Sequence, residues 1–310
     1  MPSPLLNHVP CAGPAGPHRM AYWSWGRADA PHLVVCVHGL TRQGRDFDVL
    51  AQALVERSPT PLRVVCPDVA GRGESDWLAD PAHYQVPVYV GDMLALLARL
   101  QAQAPIATLD WVGTSMGGLI GMGLFGTPDL PLPAPLHRLV LNDIGPAVEW
   151  AAIQRMQQYV GRAPTFASVE EACEALWRVA SGFGPHTPAE WRALTEPMLR
   201  PLPGGGWRLH YDPAIGENVR AATEASGREG EALLWQAYDR IRARTLLLRG
   251  ADSDLLTPAT ARAMTERGPR ARLIEFQGVG HAPTLVTLQQ VEAVASFLLG
   301  GAVPDENPDG

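Results

Sequence analysis

Gly113-Thr114-Ser115-Met116-Gly117 is the stretch of the chain best suited to chemistry. Leu109-Asp110-Trp111-Val112 ahead of it reads as a short buried strand, and Gly118-Leu119-Ile120-Gly121 behind it as the start of a closely packed helix. A serine at the apex of such a strand-to-helix turn exposes its hydroxyl at the strand end and leaves the following N–H groups free for an anion. A glycine-rich turn whose serine merely caps the next helix would look much the same. The hydroxyl is a poor nucleophile at neutral pH, so the chemical alternative requires a histidine base and a carboxylate to orient it.

Nine histidines are available. His281 stands in Gly278-Val279-Gly280-His281-Ala282-Pro283, a turn directly after the apolar run Arg272 to Phe276, where it can hang over the strand ends. The carboxylate is expected from the loop after another strand. Arg249 to Pro258 offers Asp252 and Asp254, and Asp143 closes the earlier run Leu139 to Asn142. Thr257 is placed to cap a helix beginning at Pro258, so neither aspartate is needed for that job. His38-Gly39-Leu40 ends the run Leu33 to Val37, and the Leu40 and Met116 N–H groups are the expected oxyanion donors. His38 is expected to support that loop rather than carry protons. Gly71-Arg72-Gly73 lacks the third glycine of a dinucleotide loop, no Gly-Lys-Ser/Thr occurs, and it reads as a plain turn.

The elements that must position these residues alternate. Leu33 to Val37, Arg63 to Cys66, Leu109 to Val112, Leu139 to Asp143, Thr245 to Arg249 and Arg272 to Phe276 read as inner strands, apolar on both faces. Helical spacing recurs at Phe47, Leu50, Leu54 and Val55, and again at Tyr89, Met93, Leu96, Leu97 and Leu100. Further helices are expected near Pro258 to Arg267 and Thr284 to Leu299. The fold class is α/β, a doubly wound, mostly parallel sheet. Residues 1–19 are expected to wrap the surface, and Met20 to Gly26 to form an edge strand. A core of 1–145 and 242–300 surrounds a helical cap at 146–241, and 301–310 is expected to be disordered. The cap segment carries five of the nine tryptophans. Trp150, Tyr159, Trp177 and Phe183, with Met156, are the candidates to line a substrate cleft. Arg155, Arg162 and Arg178 read as solvated helix faces.

At 310 residues, 46% hydrophobic and 18% charged, the chain can bury a large core. Its net charge of -7 and the lack of a Lys/Arg run argue against nucleic acid or an anionic membrane as partner. No apolar run is long enough to span a membrane and no secretory signal stands at the start, so the expected location is the cytoplasm. Cys11, Cys36, Cys66 and Cys173 are scattered, which points to free thiols and no metal site.

The order Ser115, Asp254, His281, together with His38-Gly39 and the glycine-flanked serine turn, resembles the α/β-hydrolase superfamily. Asp68-Val69-Ala70-Gly71-Arg72-Gly73-Glu74-Ser75 is similar to the D-x-x-G-x-G-x-S turn of its capped esterase, haloperoxidase and lactonase branch. These motifs span about residues 33 to 285. The usual acid there is an Asp with Pro following after three residues, which ranks Asp254 first, then Asp252 and Asp143. Asp143 stays because some members take the acid from that earlier strand. The resemblance implies a serine hydrolase that cleaves a carboxylic ester, lactone or thioester through an acyl-enzyme, without metal or cofactor, and the apolar, aromatic cap residues point to a small hydrophobic substrate. Carbon–carbon bond hydrolysis of a ring-cleavage product is the alternative. Such relatives usually carry Trp after the histidine and Asn before the serine, whereas Ala282 and Thr114 stand here. A low-turnover ligand receptor on the same fold is a further alternative, and Ser115 in place of Asp excludes epoxide or dehalogenase chemistry.

Overall fold

The computed structural model describes residues 3–300, so the tail expected at 301–310 lies outside the described residues. The chain opens with a hairpin, β1 (Leu5–Cys11) and β2 (His18–Gly26), and continues through β3 (His32–Val37), α1 (Asp48–Arg57), β4 (Leu62–Pro67) and α2 (Val86–Gln103). Then come β5 (Thr108–Thr114), α3 (Met116–Gly126) and β6 (Leu136–Asn142). An inserted segment holds α4 (Trp150–Tyr159), β7 (Thr165–Phe166), α5 (Val169–Ala180), α6 (Pro188–Thr195), β8 (Leu199–Pro201), β9 (Trp207–Leu209) and α7 (Ile215–Ala221). After it follow α8 (Glu224–Arg240), β10 (Arg244–Gly250), α9 (Pro258–Glu266), β11 (Arg272–Phe276) and α10 (Leu288–Leu299).

The main sheet runs β1-β2-β4-β3-β5-β6-β10-β11, antiparallel at β1–β2 and β2–β4 and parallel from β4 onward. Successive residues of a strand point to opposite faces, and here both faces are covered. Leu33, Val35, Trp111 and Leu141 pack with Met93 of α2, Ile120 of α3 and Tyr238 of α8. Val34, Cys36, Val112 and Val140 pack on the other face with Leu50 and Leu54 of α1 and Val294 and Leu298 of α10. The inner strands therefore read as unbroken apolar runs, which is what made them visible in the sequence.

Four expectations need correction. Met20 to Gly26 is not the edge strand: β1 lies outside β2, with Val9 and Cys11 turned inward and Leu5 and Leu6 exposed. Pro10 is tolerated in β1 because an edge strand can lose a donor, and the Pro/Gly-rich flanks hid the alternation. The inserted segment is not purely helical, since β7, β9 and β8 form a small antiparallel sheet over Phe166, Val169, Ala172 and Leu199. Nor does it extend to 241 as a separate layer. Tyr238 of α8 is wholly buried in the main core, and a Cβ on Gly126 of α3 would stand 2.3 Å from the Ala237 carbonyl oxygen. The last helix also starts later than expected, at Leu288, after Thr287.

Candidate active site

β5 ends at Thr114 and α3 begins at Met116, leaving Ser115 alone to make the turn with φ 51° and ψ -117°. That left-handed φ is costly for a residue with a Cβ, and the surroundings hold it. The Ser115 N–H donates to the Asn142 carbonyl of the neighbouring β6 at 3.0 Å. The Trp111 indole N–H donates to the Gly117 carbonyl at 3.1 Å, tying strand to helix. A Cβ on Gly117 would stand 2.0 Å from the Val37 carbonyl oxygen, so only glycine lets α3 start so close to β3. Ser115 occupies the N-cap position without making a side-chain cap bond, so capping does not explain the serine.

Its hydroxyl instead meets His281, whose Nε2 lies 2.9 Å from Ser115 Oγ. The other ring nitrogen, Nδ1, lies 2.7 Å from Asp143 Oδ2. A carboxylate can only accept, so Nδ1 carries the proton and Nε2 presents a lone pair to the serine O–H. The turn bearing His281 is itself clasped by the inserted segment. Gly280 N–H donates to the Gly182 carbonyl, and His186 Nε2 lies 2.7 Å from Thr284 Oγ1.

The acid at His281 is therefore Asp143, not Asp254. Asp254 borders the space over Ser115 without reaching His281, its side chain about half exposed, and pairs with Arg155 of α4 at 2.8 Å. Asp252 is exposed as well. The end of β10 and the loop after it supply donors to the acid rather than the acid itself. Asp143 Oδ1 accepts from Gly250 N–H at 2.8 Å, and Oδ2 accepts from the Ser253 hydroxyl at 2.6 Å besides His281. Ser253 is held in turn by the Leu255 and Leu256 N–H groups. Three donors make a wholly buried carboxylate tenable. Asp143 has φ 55°, and β6 lies directly beside β5, which brings its next residue under His281. The Asp-to-Pro spacing at 254–258 belongs to the start of α9, where Thr257 accepts from Thr260 N–H.

The Leu40 and Met116 N–H groups have no hydrogen-bond partner among the described residues. Met116 is the first residue of α3, where no intrahelical acceptor exists, and a Cβ on Gly39 would lie 3.6 Å from Ser115 Cβ. His38 is wholly buried, with Nδ1 2.7 Å from the Gly39 carbonyl oxygen and Nε2 accepting from Val69 N–H at 2.9 Å. Burial pushes its pKa down to about 3, so it is a neutral strut between two loops. Asp68 opens the second of these loops and accepts from the N–H groups of Gly44 and Glu74 and from the Trp23 indole. Burial raises its pKa to about 6. A Cβ on Gly73 would lie 2.3 Å from Asp68 Oδ2, which accounts for that glycine. Sequence reasoning missed Arg72 of the same turn, whose guanidinium is buried and donates to the Leu40 carbonyl at 2.8 Å.

A cavity of about 640 Å³ opens over Ser115 and His281, within the size range of small-molecule sites. Met156, Tyr159, Phe183, Trp191, Leu194 and Tyr211 are among its walls. Of the expected lining residues, Tyr159 and Phe183 are there, and Trp150 and Trp177 are not. Trp150 precedes Tyr159 by about two and a half turns of α4, which puts it on the opposite face. Trp177 turns into the insert and packs edge-on against Trp191 at 5.0 Å and His186 at 6.3 Å. Arg155 and Arg162 reach the cavity, while Arg178 is exposed beside Glu174.

The four cysteines are free thiols. Cys11, His18 and Asp92 come within 4.8 Å of one another between the hairpin and α2, a grouping the sequence did not reveal. Their atoms already satisfy each other. His18 Nε2 lies 3.1 Å from Asp92 and Nδ1 3.0 Å from the Gly16 carbonyl oxygen. Burial, with Asp92 beside it, pushes the Cys11 thiol up to about 12, so it stays protonated. Among the described residues no helix is long and apolar enough to cross a membrane.

The family described as "Alpha/beta hydrolase family" matches residues 34–297. A 3-hydroxybutyrate-oligomer hydrolase from Cupriavidus necator is 46% identical over 301 residues, covering 96% of this chain and 99% of that protein. An alpha/beta hydrolase from Novosphingobium aromaticivorans has a solved structure that is 30% identical, with a TM-score of 0.81 over 96% of this chain and 99% of that one. An esterase from Mycobacterium tuberculosis, at 22% identity and TM-score 0.65 over 97% and 91% of the two chains, shares the fold. With the family matched across most of its length, the chain belongs to the alpha/beta hydrolase family.

Proposed function

We propose that the protein is a serine hydrolase of carboxylic esters, and that short oligomers of a small hydroxy acid are its substrate class. The observation that carries the chemistry is the line Ser115 Oγ, His281 Nε2, His281 Nδ1, Asp143 Oδ2, with contacts of 2.9 and 2.7 Å. Ser115 attacks the ester carbonyl while His281 takes its proton. The oxyanion forms against the Leu40 and Met116 N–H groups, which have no partner among the described residues, so no internal hydrogen bond must break as charge develops. Asp143 holds the imidazole in the productive tautomer and stabilises the imidazolium. His281 then returns the proton to the leaving alcohol, and a water activated by the same histidine releases the acid from Ser115.

The substrate class is supported by the similarity to the 3-hydroxybutyrate-oligomer hydrolase, which spans nearly all of both chains. An apolar, aromatic cavity of about 640 Å³ has room for more than one hydroxyacyl unit. Hydrolysis of 3-hydroxybutyrate dimer and trimer, beside nitrophenyl butyrate and a lactone, tests both parts. Release of monomer from the oligomers, abolished in Ser115→Ala, is expected. Undiminished turnover by Ser115→Ala would remove the nucleophile, and cleavage of nitrophenyl butyrate alone would remove the substrate class.

A further inference from the structure

Arg72 is a wholly buried arginine that no carboxylate neutralises among the described residues. A buried charge is ordinarily paired, because desolvation is expensive. Here the guanidinium spreads its donors over neutral acceptors: the Leu40 carbonyl at 2.8 Å, the Ala70 carbonyl at 2.7 Å, the Tyr89 hydroxyl at 2.9 Å and Met116 Sδ at 3.5 Å. The rings of Tyr89 and Tyr84 flank it at 5.1 and 5.7 Å. The turn that carries it is clasped on its far side, where Gly73 N–H donates to the His210 carbonyl and Asp212 N–H to the Gly71 carbonyl.

Two of the four acceptors belong to Leu40 and Met116, the residues proposed as the oxyanion donors. These donors come from separate segments, the loop after β3 and the first turn of α3; the β3–β5 ladder sets Val37 beside Gly113, and the three residues beyond each strand position still need a contact to fix the two donors against each other. A rigid planar fork that bonds both can do so. We propose that Arg72 is a positioning residue for the oxyanion hole: from behind, it fixes the Leu40 peptide and the Met116 side chain so that both N–H groups converge on one point. This role rests on Ser115 acting as the nucleophile.

Arg72→Lys keeps the charge and loses the fork, and Arg72→Gln loses both. Each is titrated with a fluorophosphonate so that rates refer to competent sites. Misaligning one oxyanion donor lowers kcat by about 10²-fold. Both variants are expected to approach that loss with KM held within about threefold, and to bind a trifluoromethyl ketone or boronate analogue more weakly in proportion to kcat/KM. A folded variant with kcat and analogue affinity unchanged per titrated site overturns the role, even if its melting temperature falls. If neither variant accumulates, Tyr89→Phe removes one acceptor and leaves Arg72 in place. A lowered kcat at unchanged KM then supports the role and an unchanged kcat overturns it. Failure of the wild-type protein to take the fluorophosphonate would instead remove the nucleophile assignment itself.

Discussion

Asp143→Asn and Asp254→Asn separate two acids that sequence spacing cannot. The Asp143 carboxylate receives three donors: Gly250 N–H at 2.8 Å, the Ser253 hydroxyl at 2.6 Å and His281 Nδ1 at 2.7 Å. A carboxamide has one acceptor oxygen and presents an N–H₂ where the second stood, so His281 is driven to its other tautomer, with the proton on Nε2 facing Ser115. Tautomer loss of this kind in serine-triad enzymes lowers kcat by about 10⁴-fold, equivalent to roughly 5 kcal/mol. The stranded buried donors cost a further 1–3 kcal/mol or so of folding stability. At Asp254 the loss among the described residues is an ion pair to Arg155 whose two side chains are 52% and 47% exposed, worth about 0–1 kcal/mol. Steady-state kinetics on nitrophenyl butyrate, with melting curves for both proteins, is the assay. The expected outcome is a collapse of kcat in Asp143→Asn and rates within about fivefold of wild type in Asp254→Asn. Comparable losses in the two, or the larger loss at Asp254, would refute the assignment.

Gly117→Ala forces a methyl to 2.0 Å from the Val37 carbonyl oxygen and is expected to cost about 3 kcal/mol or more, read as a lowered melting temperature. His38 is neutral when folded, with its pKa pushed down to about 3 by burial, whereas the unfolded histidine titrates near 6.5. The unfolded state therefore takes up the proton first, and the stability His38 confers, complete above about pH 6.5, is lost as pH falls toward 3. Asp68, raised to about 6, acts in the opposite sense, so the wild-type curve alone is ambiguous and His38→Gln provides the reference. Urea titrations should find the stability gap between wild type and His38→Gln narrowing by about 2 kcal/mol from pH 6.5 to 5. A gap independent of pH would contradict the neutral strut. Phe183→Ala, at the cavity wall, should raise KM for butyrate and longer acyl esters, and Trp150→Ala should not. An equal effect from both would contradict the placement of the cavity.

Ser115 and His281 were legible because each sits in a local glycine pattern at the end of an apolar run, and such patterns survive without knowledge of packing. The parallel strands were legible for a related reason, since burial on both faces leaves no polar alternation to confuse. Asp143 stood in view as a third candidate. What decided for it is the side-by-side placement of β5 and β6 and the choice of Ser253 rather than Asp254 as the inward residue of the next loop, both tertiary facts. Arg72 looked like one residue of a turn because its partners, Leu40, Tyr89 and Met116, are far from it in sequence. β1 was hidden by Pro10 and by the Pro/Gly-rich stretch that follows it. The tryptophans of the inserted segment could not be sorted by composition: Trp191 lines the cavity, while Trp177 serves as its support from behind.

The central claim is that Ser115 is the nucleophile, and covalent trapping tests it most directly. Intact-mass and peptide mass spectrometry after treatment with a fluorophosphonate should find one adduct per chain, on Ser115, formed in step with loss of ester hydrolysis and missing from Ser115→Ala. An adduct elsewhere, or full hydrolysis persisting in protein fully labelled at Ser115, would contradict the account.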